Sequence, residues 1–254
     1  SVDPSGRCVL VANYGGGSVA ALPIQEDGGP GPAGSSVKHQ GSGADPRRQK
    51  GPHAHCIVTD PAGRFAFAAD LGLDKVLVYR LDAAAAKLVP NEPPSASVAP
   101  GSGPRHFTFH PGGKWAYVIN ELSSTVTAFR YDAERGVLEP FQTVSTLPAD
   151  FKGTNSTAEV VVSPDGLLIA QGHMMIENRR PLDVKVVLIG PPLLYHLLYS
   201  LDEDLRELFA QAGTVETVRI ITDQFTGRPR GFGFVEMASK EEASKAIEML
   251  NGRL

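Results

Sequence analysis

Val2-Asp-Pro-Ser-Gly-Arg-Cys-Val-Leu-Val is the first of four similar segments that decide the fold of this chain. The others are Thr59-Asp-Pro-Ala-Gly-Arg-Phe-Ala-Phe-Ala, Phe109-His-Pro-Gly-Gly-Lys-Trp-Ala-Tyr-Val and Val162-Ser-Pro-Asp-Gly-Leu-Leu-Ile-Ala. Each Pro-x-Gly predicts a turn that leads into a strand, and a period of roughly 50 residues is typical of four-stranded propeller blades. The repeat therefore predicts a mostly β fold, a partial β-propeller of about three and a half blades.

Paired strands follow the second and third turns. Each of these repeats contains a predicted hairpin, made of Phe65–Ala69 with Val76–Arg80 and of Trp115–Asn120 with Thr125–Tyr131. The Gly/Pro/Ser-rich segments between the hairpins are each expected to hold one more short strand, around Val37 and around Val98. His110 is predicted to cap its turn. No partner strand is evident after the fourth turn, so we expect that blade to be incomplete.

Composition excludes several classes of protein. With 24 Lys plus Arg against 28 Asp plus Glu, the formal charge is −4, which argues against a purely electrostatic nucleic-acid binder. The sequence contains no apolar run of membrane length, and Ser1-Val-Asp-Pro lacks the pattern of a secretory signal, so we expect no membrane span and a cytoplasmic protein. Cys8 and Cys56 are predicted to be small buried hydrophobic residues, without a disulfide, a metal or a cofactor.

Three stretches around the turns carry a family resemblance, namely Gly51-Pro-His-Ala-His-Cys-Ile-Val-Thr-Asp-Pro, Gly103-Pro-Arg-His-Phe-Thr-Phe-His-Pro and Trp115-Ala-Tyr-Val-Ile-Asn-Glu-Leu-Ser-Ser-Thr-Val. Residues 1–168 resemble the seven-bladed propeller lactonases of the 6-phosphogluconolactonase type, about half of such a protein. The resemblance implies an acid/base role for His55 or His53. It also implies that Arg105 binds a carboxylate or an oxyanion and that Glu121 holds Arg105.

The same residues allow a purely structural interpretation. His53 and His55 are two residues apart on one predicted strand face, and without a third ligand they do not predict a metal site. Arg105 and Glu121 are also compatible with an ordinary ion pair that lines a channel. Because a pocket at the propeller axis needs walls from further blades, we expect a lactonase-type hydrolase site here to be incomplete.

Residues 171–200 form a predicted bridge between the propeller-like part, 1–170, and a third part, 201–254. Pro181-Leu-Asp-Val-Lys-Val-Val-Leu-Ile-Gly, Leu193-Leu-Tyr-His-Leu-Leu-Tyr and Leu205-Arg-Glu-Leu-Phe are similar to part of a Lon-like ATP-dependent protease module. The sequence lacks the Gly-Lys-Ser/Thr phosphate loop of an ATPase and the context of a Ser/Lys peptidase. We predict neither activity.

The third part alternates between helix and strand patterns. A helix is predicted from Leu201, a strand over Thr214–Thr222, a second strand from Arg230 and a helix over Lys240–Leu250. Arg230-Gly-Phe-Gly-Phe-Val-Glu-Met is similar to the RNP1 octamer of the RNA-recognition motif, apart from Met237 in its usually aromatic last place. This resemblance implies a small α+β, ferredoxin-like domain whose first strand lies at 184–189.

An RNA-recognition motif implies single-stranded RNA as the partner. Phe232 and Phe234 would stack on bases from one sheet face, with phosphate contacts from three arginines, Arg219, Arg228 and Arg230. The alternative is that both phenylalanines belong to the core of an ordinary sandwich. Since the sequence ends before the motif's fourth strand, we expect an exposed sheet edge that favours self-association.

Three functions follow from these patterns. Single-stranded RNA binding is our first prediction, because its key strand is complete and local. Hydrolysis of a lactone, with a small lactone or sugar-phosphate ligand, is the alternative. The third is no specific activity, because incomplete pieces joined near Leu168 and Leu205 resemble an artificial or misassembled chimera.

Overall fold

The computed structural model describes residues 1–147, 151–162, 169–174, 184–187, 206–207, 209–222 and 229–250. The chain divides into two compact units, Ser1–Phe151 and Lys152–Leu254. The three-part division at residues 170 and 200 stays a prediction. Among the described residues, no helix has the length and apolar character needed to cross a lipid bilayer.

The described residues of the first unit form three antiparallel sheets. The first has the order β1-β2-β3, with strands Cys8–Asn13, Ser18–Pro23 and Ser35–Lys38. The second has the order β4-β5-β6-β7, with strands Ala54–Thr59, Phe65–Asp70, Lys75–Asp82 and Lys87–Ser97. The third has the order β8-β9-β10-β11, with strands Pro104–Phe109, Trp115–Asn120, Thr125–Asp132 and Val137–Ser145. These sheets match the predicted propeller repeat.

The repeated turn joins the first two strands of each four-stranded sheet. In the second sheet, one oxygen of Asp60 accepts hydrogen bonds from the backbone N–H groups of Arg64 and Phe65, at 2.7 and 2.9 Å. Its other oxygen accepts the Tyr131 hydroxyl at 3.1 Å. In the third sheet, Nδ1 of His110 accepts the N–H of Gly112 at 2.9 Å, which confirms the predicted cap.

The outer strands required one correction to the sequence prediction. The strand expected around Val37 is β3, but the strand expected around Val98 lies earlier, at Lys87–Ser97. The prolines of this segment favour a loop in the sequence pattern. Because β7 is the outer edge of its sheet, prolines at ladder positions that need no N–H are compatible with a strand.

Apolar side chains from neighbouring sheets form the cores of the first unit. Phe67 is fully buried and stacks on Phe107, with ring centroids 5.5 Å apart. Phe109 and Tyr131 meet the same ring edge-on, at 5.1 and 5.5 Å. Cys8 is buried in a second cluster that includes Leu10, Val19 and Tyr79. These cores hold the sheets in fixed positions, and with them the strand ends that carry the candidate site.

The second unit contains a five-stranded antiparallel sheet of order β12-β13-β14-β16-β15. Its elements are β12 Ser156–Val162, β13 Ile169–Met174, β14 Val184–Val187, β15 Val215–Thr222, β16 Pro229–Met237 and helix α1 Lys240–Leu250. Val235 is buried against Phe209, Ala212 and Ala246. The last two strands and the helix lie where their spacing predicts them, although an RNA-recognition-type domain stays a prediction.

The pairing of β14 with its two neighbouring strands corrects two expectations about this region. Strand β13 pairs with β12 on one side and with β14 on the other, in the register Ala170↔Val186. The strand predicted at 184–189 is therefore also the partner strand that the fourth repeat was expected to lack. Strand β14 also pairs with β16, in the register Val186↔Val235. Its edges are therefore occupied, and the self-association expected through that strand has no basis there.

Candidate active site

Equivalent β-bulges at the start of two strands orient His55 and Arg105. The register between β4 and β5 shifts between Ala54 and Cys56, so His55 is the bulged residue. The register between β8 and β9 shifts between Pro104 and His106, so the bulged residue is Arg105. A bulge re-aims the side chain of its extra residue. Because the two strands occupy the same place in successive sheets, both side chains reach a single carboxylate.

That carboxylate belongs to Glu121, the first residue after β9, whose side chain is only 6% exposed. Its Oε2 accepts a hydrogen bond from Nε of Arg105 at 3.0 Å and lies 3.8 Å from Nε2 of His55. Its Oε1 accepts a hydrogen bond from Nη2 of Arg48 at 2.6 Å. The backbone N–H of Glu121 donates to the carbonyl oxygen of Gly103 at 2.7 Å. Three predicted site residues, from two sheets, are thus brought together.

Arg48 is the member of the site that sequence reasoning missed. It lies between β3 and β4, and its side chain is 42% exposed. One oxygen of Asp45 accepts the N–H groups of Arg47 and Arg48, at 2.7 and 3.0 Å. The signal for this turn is Asp45-Pro-Arg-Arg, because an aspartate that binds the backbone two or three residues later fixes a local turn. Apart from a short strand around Val37, the sequence pattern predicts only a connection here.

Tyr14 and His106 contact the ring of His55, and Tyr14 also contacts His53. The Tyr14 ring stacks on His53 with centroids 4.7 Å apart and meets His55 edge-on at 5.3 Å. His106 meets His55 at 5.2 Å. The N–H of His53 donates to Asp70 Oδ1 at 2.7 Å, and its ring Nδ1 lies 3.1 Å from the Tyr14 carbonyl oxygen. His53 therefore contacts Tyr14, whereas His55 also approaches the carboxylate, which favours His55 over His53 as an acid/base.

The electrostatics keep His55 neutral at physiological pH. Burial lowers the pKa of His55 to about 4, and the charges of Arg105 and His106 act in the same direction, while Glu121 opposes them. Hydrogen bonds to Tyr14 and Glu121 raise the pKa of Arg48. Among the described residues, the buried Nδ1 of His55 has no hydrogen-bond partner. Two guanidinium groups around one carboxylate leave a surplus of positive charge, which suits a substrate that is anionic or becomes so during reaction.

The residues of the predicted RNA surface do not form a described site. Arg228 lies outside the described residues, as do the side chains of three residues of β16, Arg230, Phe232 and Phe234. Arg219 on β15 is exposed and pairs in register with Phe234. The structure therefore gives no side-chain geometry for base stacking.

The part of the chain that carries the repeats is similar to known lactonases. The family model described as lactonase, 7-bladed beta-propeller, matches residues 1–173. A 6-phosphogluconolactonase of Bacillus subtilis is 40% identical over 169 residues, which are 66% of this chain and 47% of that protein. The solved structure of a periplasmic gluconolactonase of Pseudomonas aeruginosa is 35% identical with a TM-score of 0.68, covering 76% of this chain and 53% of the other. A putative 6-phosphogluconolactonase of Bacteroides fragilis gives a TM-score of 0.65 at 34% identity, covering 73% and 51%.

These matches overturn our first functional prediction. The RNA-recognition-motif model matches only residues 200–254, and a LonB-like AAA domain model matches residues 154–216. The prediction of RNA binding as the main activity is wrong, because it weighted one local strand above a repeat that extends over two thirds of the chain. The two short matches do not establish a chimera. The chain spans about half the length of the relatives that it matches.

Proposed function

We propose that this chain, which belongs to the seven-bladed β-propeller lactonase family, hydrolyses a lactone at the side chains around Glu121. The observation that carries the proposal is the convergence of two guanidinium groups and a neutral imidazole on one buried carboxylate. An imidazole that can accept a proton and cations that can stabilise an oxyanion are what ester hydrolysis requires.

Each side chain has a role in the proposed reaction. His55 takes a proton from water while the water oxygen bonds to the lactone carbonyl carbon. The ring C–O bond then breaks, and the ring oxygen takes the proton from His55, which leaves a hydroxy acid. Arg105 and Arg48 stabilise the negative charge that forms on the carbonyl oxygen. Glu121 holds both arginines and stabilises His55 in its protonated state.

The substrate class follows from charge and from the relatives. A surplus of positive charge favours a lactone that carries an acidic group, such as a phosphorylated sugar lactone. Relatives named 6-phosphogluconolactonase and gluconolactonase support a sugar lactone, with or without phosphate. The expected cytoplasmic location stays a prediction, since one of these solved structures is described as periplasmic.

The proposal is tested by measuring hydrolysis of gluconolactone and of its 6-phosphate above the spontaneous rate. We expect His55→Gln to lower kcat by about 100-fold or more and Arg105→Met to lower it by about 100- to 1,000-fold. Arg130→Met is the control, because this exposed side chain packs over Phe141 away from the cluster and should leave the rate unchanged. A folded chain with no rate above background, or equal rates in all variants, would refute the proposal.

A further inference from the structure

Asp74 is a buried carboxylate outside the cluster around Glu121. It occupies the last position of the turn between β5 and β6 and is 6% exposed. Its backbone has φ of 55°, in the left-handed region, as do the residues at the same position of the neighbouring turns, Gly17 with φ of 55° and Ser124 with φ of 50°. The turn therefore needs a left-handed residue but not a carboxylate, because glycine and serine serve elsewhere. The conformation of the turn therefore does not explain why a carboxylate stands at position 74.

Its hydrogen bonds reach two separate connections of the propeller. Oδ1 accepts the side-chain amide of Gln49 at 2.7 Å and the N–H of Gly103 at 2.8 Å. Oδ2 accepts the N–H of Gly101 at 2.7 Å. Gln49 also donates to the carbonyl oxygen of Leu71 at 2.7 Å. One carboxylate thus joins the connection before β4 to the connection before β8.

Both connections supply the site directly. Gln49 follows Arg48, and its Oε1 accepts the N–H of Asp45, the residue whose carboxylate shapes the Arg48 turn. Gly103 lies two residues before Arg105, and its carbonyl oxygen accepts the N–H of Glu121. The segments that carry both arginines and the carboxylate between them are therefore anchored on Asp74.

We propose that Asp74 is the positioning residue of this site, which sets the separation of the two guanidinium groups by fixing the segments from which they come. The inference rests on the proposed function and adds a residue that touches neither the substrate nor the reacting atoms. Asp74→Asn is the informative change, because asparagine has the same size and tolerates the left-handed region. Its amide nitrogen replaces one acceptor oxygen, so at least one N–H donor loses its partner and the anchored segments move apart.

The kinetic test compares Asp74→Asn with Asp60→Asn. Asp60 is also a buried carboxylate with three donors, but it caps the turn at the opposite end of the β4–β5 ladder. Both variants are assayed at a temperature at which both are folded. We expect Asp74→Asn to lower kcat/KM by about 10- to 100-fold, as a displacement near 1 Å does. We expect Asp60→Asn to change kcat/KM by less than about threefold. Equal losses in the two variants would show a general structural effect and overturn the proposal.

A double variant tests the route of the effect. If Asp74 acts by placing Arg48 and Arg105, Asp74→Asn should lower kcat/KM by a smaller factor in the Arg48→Gln variant than in the unmodified chain. The reason is that the Arg48→Gln variant has already lost one of the two guanidinium groups that Asp74 places. Losses that multiply fully would contradict this route.

A second readout separates this inference from the proposed function. In the unmodified chain the Arg105 Nε–H donates to Glu121, and its cross-peak in an arginine-selective ¹H–¹⁵N spectrum reports that bond. We expect the cross-peak to shift in Asp74→Asn and to stay in place in Asp60→Asn. If the chain shows no lactone hydrolysis, the proposed function fails while this spectrum still decides the role of Asp74. An unchanged cross-peak in Asp74→Asn overturns that role.

Discussion

Acidification should weaken the first unit through one histidine. Burial lowers the pKa of His55 from 6.5 to about 4, so between these pH values the unfolded chain binds a proton that the folded chain does not. The unfolding free energy should therefore fall as the pH drops from 6.5 to 4 and become independent of this group below that range. The difference between these two pKa values corresponds to about 3 to 4 kcal/mol of unfolding free energy before solvent screening. Because the side chain is 19% exposed, we expect solvent screening to leave about 1 to 2 kcal/mol.

The assay compares urea unfolding of the unmodified chain and of His55→Gln at pH 7 and pH 4.5. Trp115, the single tryptophan of the chain, lies on β9, so its fluorescence reports the first unit. Other acidic groups titrate in both proteins, and the difference between the two pH dependences isolates His55. A proton-NMR titration of the imidazole gives the pKa directly. Equal pH dependences, or a His55 resonance that titrates near 6.5, would refute the reasoning.

Three further outcomes are expected. Arg105→Met should raise the pKa of His55 in the same NMR titration, since the Arg105 charge lowers it; an unchanged value would contradict the proximity of the two groups. Phe67→Ala should reduce the unfolding free energy of the first unit by about 4 kcal/mol in urea, because the ring is fully buried among three aromatic rings, and a loss below about 1 kcal/mol would contradict that packing. Gly72→Ala should disrupt the segment before β4 and abolish lactone hydrolysis, because the new Cβ would overlap the Gly51 carbonyl oxygen. Gly51→Ala is the matched control, because its Cβ would enter open space.

The propeller repeat was predictable because the residues that form each turn are close together in the sequence. Each turn combines a proline, a glycine and a capping residue such as Asp60 within a few positions. The strands after the second and third turns begin at Phe65 and Trp115, as predicted. The pairing of Arg105 with Glu121 was suggested by the family resemblance, and the structure brings them within 3.0 Å.

Long-range features were beyond the sequence pattern. Arg48 contacts Glu121 across 73 positions, from a segment between β3 and β4 whose strand and helix pattern gives no indication of this contact. The pairing of β13 with β14 places Ala170 opposite Val186, and local periodicity does not encode which two strands become neighbours. The octamer at Arg230 led to the wrong function because a short motif predicts a strand better than it predicts an activity.

The five-stranded sheet has a consequence for solubility. With β14 in place, β13 has hydrogen-bond partners on both sides. A chain cut after Met174 would leave one side of β13 with a row of unpaired N–H and C=O groups, which is a template for aggregation. Strand β14 therefore protects β13 from intermolecular pairing, and this protection depends on the backbone hydrogen bonds of β14 rather than on any particular side chain.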